Sequence, residues 1–308
     1  MSAWRSHARP LLIRAYSTKY THRLMPAAVA LPLVAALQPP LRRLTIPEED
    51  IGAQRMMTDL LAHTPRAGQA KKMARRFLRE RARSRELFWR PWLLDKSRII
   101  GRENWEAAHA DGPCVVVLAH MGQSWAVPPI MARNGMYMHL VTSAHFWGEM
   151  PEGVTGYAYR YLLVEYGDKA LGPGRLVPND ADPEVLTSLI EQGNTVGIAF
   201  DVPGSASVPF LGRPVALTGS PATLAFQTGV KVLPMITERH GTRVDLRVLT
   251  PIDPADYRDL RSLRAAIARV YEPFIVAKPQ IVEVAWYPLP LVTEALTSQA
   301  PSAPEITA

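Results

Sequence analysis

The chain has 308 residues, 47% hydrophobic and 20% charged, a composition that can bury a core and excludes a disordered or fibrous polymer. Its single cysteine, Cys114, excludes an intramolecular disulfide and any multi-cysteine zinc or iron–sulfur centre, and it suits a reducing compartment. The formal charge of +7 is uneven: no Asp or Glu precedes Glu48, whereas Arg5, Arg9, Arg14, Lys19, Arg23, Arg42 and Arg43 do. Anionic lipid headgroups and nucleic acid are the partners that such a segment attracts.

In chain order, the first apolar run is LMPAAVALPLVAAL at 24–37. It is shorter than the roughly 20 residues a membrane span needs, and Pro26 and Pro32 interrupt it, so it is expected to dip into an interface rather than cross. A secretory signal is the rival reading, since basic residues precede the run. A second basic block, KKMARRFLRERARSR at 71–85, contains one acid, Glu80. Residues 57–94 read as helices with Met73, Phe77, Leu87 and Trp92 inward and Pro91 as an interruption. A short helix at 104–110 and the turn Asp111-Gly112-Pro113 lead into a strand at 115–119. The segment WAVPPIMARNG reads as a helix ended near Gly135, and MYMHLVTSA as a second strand, an order that suggests a βαβ unit and a parallel sheet.

Further along, residues 183–194 read as a helix with Gly193 near its end, followed by a strand at 195–201. A Gly/Ser/Pro loop with a short apolar edge follows, then a helix from Ser220-Pro221. Strands at 230–237 and 243–249 come next, joined by the tip ERHGTR, and a last helix spans 262–277. The Ala/Ser/Thr/Pro-rich end reads as a disordered tail. The expected fold class is α/β, one domain with a mixed, largely parallel central sheet flanked by helices. Its expected boundaries are a basic, partly apolar helical N-terminal region over 1–47, a catalytic domain over 48–290 and a tail over 291–308.

The stretch VVVLAHMGQSWA at 115–126 carries the chemistry question. Read as Gly122-Gln123-Ser124-Trp125-Ala126, it approximates a nucleophile elbow, and the order Ser124, Asp201, His240 matches that of α/β-hydrolase triads. Read from His120, it places a base at a strand end, suited to activating an acceptor hydroxyl. A third reading is a buried strand that ends in a polar loop.

Three blocks together resemble the lipid A biosynthesis (lauroyl/myristoyl) acyltransferases and the related phosphatidylinositol mannoside acyltransferases of the lysophospholipid acyltransferase superfamily. They are GRENWEAAHADGPCVVVLAHMGQSW, then EQGNTVGIAFDVPGSASVPFLGRPVALTGSPATLAFQTGVKVLPM, and the basic lead-in ARRFLRERARSRELFW; together the likeness covers about 45–285. The resemblance implies a lysophospholipid-acyltransferase-like domain in a bacterial chain, with His120 as the catalytic histidine. The family's carboxylate five positions later, in the H-x4-D/E motif, is replaced here by Trp125, or by Ala126 if Ser124 is an insertion. Without that acid, base catalysis at an alcohol weakens, since the carboxylate fixes the tautomer and stabilises the imidazolium. Asp201, at the end of its own strand, is the expected substitute, because neighbouring strand ends converge on one crevice.

The remaining candidates are substrate-binding. Arg213 in FLGRP is expected to meet an anionic group such as a phosphate, with Arg160 and Arg175 as further basic candidates. Gly219 at a helix start would let backbone amides approach an anion. Phe210 and Trp125 complete the set, and Ser124 is a candidate oxyanion donor or helix cap. His145, beside Phe146 and Trp147, reads as part of an aromatic loop rather than a metal site; no metal and no cofactor is implied.

The expected activity is transfer of an acyl group from an acyl-CoA or acyl carrier protein thioester to a membrane lipid or glycolipid. The protein would sit peripherally on the cytoplasmic side of the cell membrane, against its anionic surface. The alternatives are transfer to a soluble amine or hydroxylamine, with aminoacyl-tRNA as a conceivable donor, a lipid-binding relative without turnover, and a serine hydrolase using Ser124.

Overall fold

The computed structural model describes residues 19–142 and 173–282. Four helices open it: α1 (Lys19–Leu24), α2 (Ala27–Thr45), α3 (Pro47–Leu61) and α4 (Ala70–Phe88). The sheet region follows in the order β1 (Ile99–Ile100), α5 (Arg102–His109), β2 (Val115–Leu118), α6 (Val127–Arg133) and β3 (His139–Thr142). It resumes with β4 (Leu176–Pro178), α7 (Pro183–Glu191), β5 (Val196–Ala199), β6 (Pro203–Phe210) and β7 (Arg213–Leu217). It ends with α8 (Ser220–Thr228), β8 (Val232–His240), β9 (Arg243–Val248) and α9 (Leu260–Ala277).

The main sheet has seven strands in the order β1-β9-β8-β2-β5-β3-β4. From β8 to β4 all neighbours are parallel, while β9 runs against β8 and β1 runs with β9. The sheet is thus mixed and largely parallel, as the sequence pattern implied. The apolar run of β2 has no polar alternation because both of its faces are covered. Val115 and Val117 join a core that includes Leu217, Leu263 and Tyr271, while Val116 and Leu118 join a second that includes Ile130, Met131 and Leu246. Centrally placed, β2 delivers its carboxyl end to the middle of the sheet edge, where ligands collect in open α/β folds.

Where a Gly/Ser/Pro loop was expected after β5, the chain forms the strand β6 instead. β6 and β7 pair antiparallel as a separate hairpin, and Ala206, Val208 and Phe210 alternate inward between exposed neighbours. The two-residue turn Leu211-Gly212 has φ of 51° and 81°, the left-handed geometry of a tight hairpin, and Leu211 N donates to Glu272 of α9 at 2.7 Å. The period-two pattern was there to read; Pro203, Gly204 and Pro209 masked it.

The N-terminal helices pack onto this body. Met57 and Leu61 of α3 and Met73 and Phe77 of α4 enter the larger core, and Arg239 of β8 holds Glu80 of α4 through Nε and Nη2, each at 2.7 Å. Of the expected inward residues Trp92 is half-buried, and Pro91 interrupts the helical run as expected, opening a short 3-10 turn (Pro91–Lys96) after α4. Among the described residues no helix is long and apolar enough to cross a membrane.

Candidate functional site

β2 and β5 run side by side in register, Leu118 opposite Ala199, and the ladder continues one step as Phe200 N donates to Leu118 O at 3.0 Å. His120 and Asp201 then leave neighbouring strand ends together. Asp201 Oδ1 lies 2.8 Å from His120 Nδ1, and Asp201 Oδ2 accepts the His120 backbone N–H at 2.6 Å. One carboxylate therefore fixes both the ring and the main chain of the histidine. Since a carboxylate only accepts, Nδ1 carries the proton and Nε2 has the lone pair. The Asp201 side chain is 7% exposed and the His120 side chain 42%, so the acid is sealed while the ring opens to the edge of the sheet.

The turn after His120 is pinned from several sides. Gly122 has φ +69°, and a Cβ there would stand 2.6 Å from the Thr237 carbonyl oxygen, so only glycine fits. Gly122 N donates to Ile281 O at 2.7 Å, and Gln123 N to Thr237 Oγ1 at 2.7 Å. The buried Gln123 side-chain oxygen accepts from Ser84 Oγ at 3.0 Å and from Trp125 Nε1 at 2.9 Å. Trp125 packs against Phe88 of α4, the rings tilted by 36° with centroids 4.8 Å apart. The position where a motif carboxylate would stand thus holds an indole that ties the turn to α4. Gln123, Ser84 and Thr237 were not singled out in the sequence, and nothing in their spacing marks them.

Beneath β2, Tyr271 of α9 is fully buried and its hydroxyl donates to Val117 O at 2.7 Å. Burial raises its pKa well above the ordinary value and the Asp201 charge adds to the rise, against a backbone hydrogen bond that lowers it, so it remains a neutral phenol.

The other expected site residues fall elsewhere. Ser124 opens a 3-10 turn (Ser124–Ala126), and among the described residues Leu211 is the non-glycine residue with positive φ, so Ser124 lacks the strained backbone of an elbow. His240 lies at the hairpin tip, 4.0 Å from Asp245, and is not assembled with Ser124 and Asp201 into a triad. Arg213 is not held open for an anion: its two terminal nitrogens each contact Asp59 of α3 at 2.6 Å, a bidentate pair that satisfies the guanidinium within the protein. Phe210 is a core residue packed edge-on to Phe200 at 5.7 Å, buried by the strand alternation that the loop reading missed.

Gly219 precedes α8, and the Arg264 guanidinium lies over it, with Nη2 2.6 Å from where a Cβ would be. Arg175 precedes β4, at the amino end of the parallel strands and so opposite to His120. Arg160 and His145 lie outside the described residues. Cys114 is buried beside His109, and burial pushes its thiol up to about 12 against a hydrogen bond from Thr195, so it is an inert core group. Among the described residues no cluster of His, Cys, Asp or Glu could hold a metal ion.

An accessible imidazole backed by a sealed carboxylate, at the carboxyl edge of a mainly parallel sheet, can take a proton from a hydroxyl or amine and return it to a leaving group. Residues 170–282, from before β4 to just past α9, match the family model of bacterial lipid A biosynthesis acyltransferases. The match begins after His120 and includes Asp201. No curated protein matches the chain. Among solved structures, the 1-acyl-sn-glycerophosphate (LPA) acyltransferase PlsC of Thermotoga maritima is similar at 15% identity and a TM-score of 0.38. That likeness covers 75% of this chain and 98% of that one.

Proposed function

We propose that the protein transfers an acyl group from a CoA or acyl carrier protein thioester to a hydroxyl of a lipid or glycolipid, with His120 as general base and Asp201 as the carboxylate that supports it. The reading rests on one observation, the double hold of Asp201 on His120 Nδ1 and His120 N, at 2.8 and 2.6 Å. It supplies from β5 the acid that the motif lacks at position 125. The site of action would be the cytoplasmic face of the membrane, with residues 48–290 as the catalytic unit.

In this mechanism the acceptor hydroxyl gives its proton to His120 Nε2 as its oxygen bonds to the thioester carbonyl carbon. The amides of residues 120–123 are engaged within the protein, so the tetrahedral oxyanion is met by backbone amides at the start of the following 3-10 turn, with the Ser124 hydroxyl as a candidate further donor. Collapse breaks the C–S bond, and the thiolate leaves with the proton held by the imidazolium. Asp201, sealed from water and with no ion pair to arginine or lysine among the described residues, is the counter-ion of that imidazolium. The Asp201 geometry supports a hydroxyl acceptor over the amine acceptor and the lapsed turnover that a missing acid would favour.

The test is mass-spectrometric detection of acyl transfer by the full chain, with acyl-CoA and acyl carrier protein donors and membrane lipid acceptors. The expected result is transfer lost in His120→Ala and in Asp201→Asn and kept in Ser124→Ala. Transfer that persists in His120→Ala would overturn the base assignment. Transfer to amines alone would move the acceptor class.

A further inference from the structure

The buried face of α9 carries Leu263, Ile267, Tyr271 and Ile275, spaced four apart. Three of them are aliphatic, and the fourth brings a hydroxyl to a place with no exposed surface. Burying a hydroxyl costs free energy unless it is hydrogen-bonded, so its partners show what it holds.

Tyr271 reaches three strands at once. Its hydroxyl donates to Val117 O of β2 at 2.7 Å and accepts from Met235 N of β8 at 3.3 Å. Its ring stacks on Phe200, just past β5, with centroids 4.6 Å apart and planes 24° from parallel. All three contacts lie close to the His120–Asp201 pair. Val117 precedes His120 by three residues and Phe200 precedes Asp201 by one, while Met235 stands two before Thr237, whose hydroxyl accepts from Gln123 N at 2.7 Å. Val117 lies opposite Pro234 and Leu118 opposite Met235, so β2 and β8 are already paired where the hydroxyl enters. What the hydroxyl adds is a fixed position of both strands relative to α9, and the ring extends that hold to β5.

We propose that Tyr271 is a positioning residue: its hydroxyl and ring hold the ends of β2 and β5 at the offset that lets one carboxylate, Asp201, meet both His120 Nδ1 and His120 N. The inference rests on the reading of His120 as general base and adds the group that keeps base and acid in line. Two hydrogen bonds to one carboxylate, at 2.8 and 2.6 Å, leave little room for slip between the strands, and reactive groups have to be held within roughly 0.5 Å of their working geometry. Tyr271 acts through the strands and not as an acid in the reaction, because its proton is given to Val117 O and both Asp201 oxygens are committed to His120.

Tyr271→Phe keeps the ring and removes the hydroxyl. Its reference is Leu263→Ala, which removes packing from the same helix about two turns earlier. The first readout is the low-field proton resonance of His120 Nδ1–H in the full chain without substrate, assigned by its absence in His120→Ala, with the corresponding resonance of His22 as internal reference. Tyr271→Phe should shift the His120 resonance and leave that of His22 in place; Leu263→Ala should move neither. The second readout is acyl transfer per folded molecule. Tyr271→Phe should lower kcat by ~10-fold with KM for donor and acceptor within about twofold. Leu263→Ala should lower the melting temperature more than Tyr271→Phe does and keep kcat within about twofold.

A Tyr271→Phe protein that keeps both the resonance and kcat would overturn the proposal. So would a Leu263→Ala protein that shifts the resonance and loses kcat to the same extent, since Tyr271 would then serve packing alone. The two readings fail separately. A resonance that depends on Tyr271 in a wild type without acyl transfer would overturn the acyltransferase reading and leave the strand hold standing, whereas transfer that is indifferent to the hydroxyl overturns the positioning role alone.

Discussion

Two histidine–carboxylate pairs among the described residues have nearly the same length, and they differ in what surrounds them. In the N-terminal helical layer, His22 Nδ1 meets Glu86 at 2.9 Å; at the sheet edge, His120 Nδ1 meets Asp201 at 2.8 Å. Glu86 also accepts from Arg90 at 2.9 and 2.7 Å, and both the His22 and Glu86 side chains are almost fully buried. The charge of Glu86 is matched by a permanent cation, and the ring is stacked under Trp89 with no route to a substrate. Asp201 has no such arginine among the described residues, and its histidine is open to the edge of the sheet. Distance alone does not distinguish a fastening from a proton-transfer site; the partner's other obligations and the exposure of the ring do.

The sharpest way to break this comparison is to remove each pair in turn. Asp201→Asn keeps the shape but cannot act as counter-ion to an imidazolium, and His120→Ala removes the base. Each should lower kcat by about 10²–10⁴-fold, or roughly 3–5 kcal/mol, while the melting temperature moves little. His22→Gln should leave turnover per folded molecule within about threefold, because a fastening has no part in the chemistry. Equal losses of turnover in His22→Gln and His120→Ala would erase the distinction.

Stability should show the reverse order. Glu86→Gln strands the Arg90 guanidinium in the helical layer and should cost about 3 kcal/mol in denaturant unfolding with kcat unchanged. Arg213→Ala breaks the bidentate contact with Asp59 that ties β7 to α3, a pair only partly shielded from water, and should cost about 1 kcal/mol with no change in KM. A rise in KM for a phosphorylated donor or acceptor would instead return Arg213 to substrate binding.

The tie between α4 and β8 gives a pH-dependent counterpart. Burial pushes the Glu80 carboxyl up, but the hydrogen bonds and charges of Arg239 and Arg83 outweigh it and hold the pKa below the ordinary 4.5. A depressed folded pKa means that the stabilisation is fully present above that ordinary value and is lost as pH falls through the folded one. Glu80→Gln should therefore narrow the stability gap between neutral and acid conditions in urea titrations. An unchanged gap would mean that this ion pair has no share in acid unfolding.

The same contrast explains what the sequence disclosed. The strand at 115–119 was legible because a strand buried on both faces has to be apolar throughout, and the meeting of 120 with 201 followed from parallel strand ends lying side by side. β6 was hidden because prolines and a glycine outweighed a correct alternation at Ala206, Val208 and Phe210. The Arg213–Asp59 pair, 154 residues apart in sequence, leaves no periodic trace, since tertiary ion pairing obeys no local spacing. For the same reason the His22–Glu86 pair, 64 residues apart, could not be told from a free basic segment.

The smallest expected effect belongs to Ser124, four positions beyond His120. A serine nucleophile requires a base within reach and a backbone that presents its oxygen, and here neither accompanies it. Asp201 is committed to His120, His240 stands at the hairpin tip beside Asp245, and the left-handed residue of the turn is Gly122 rather than the serine. What remains is a hydroxyl at the start of a 3-10 turn, a candidate donor to an oxyanion beside the backbone amides of that turn. Ser124→Ala should therefore reduce turnover by no more than about threefold, below 1 kcal/mol, and a fluorophosphonate probe should fail to label wild type. A loss approaching that of His120→Ala, together with covalent labelling, would exchange the roles of the two residues and make the sheet edge a hydrolase site.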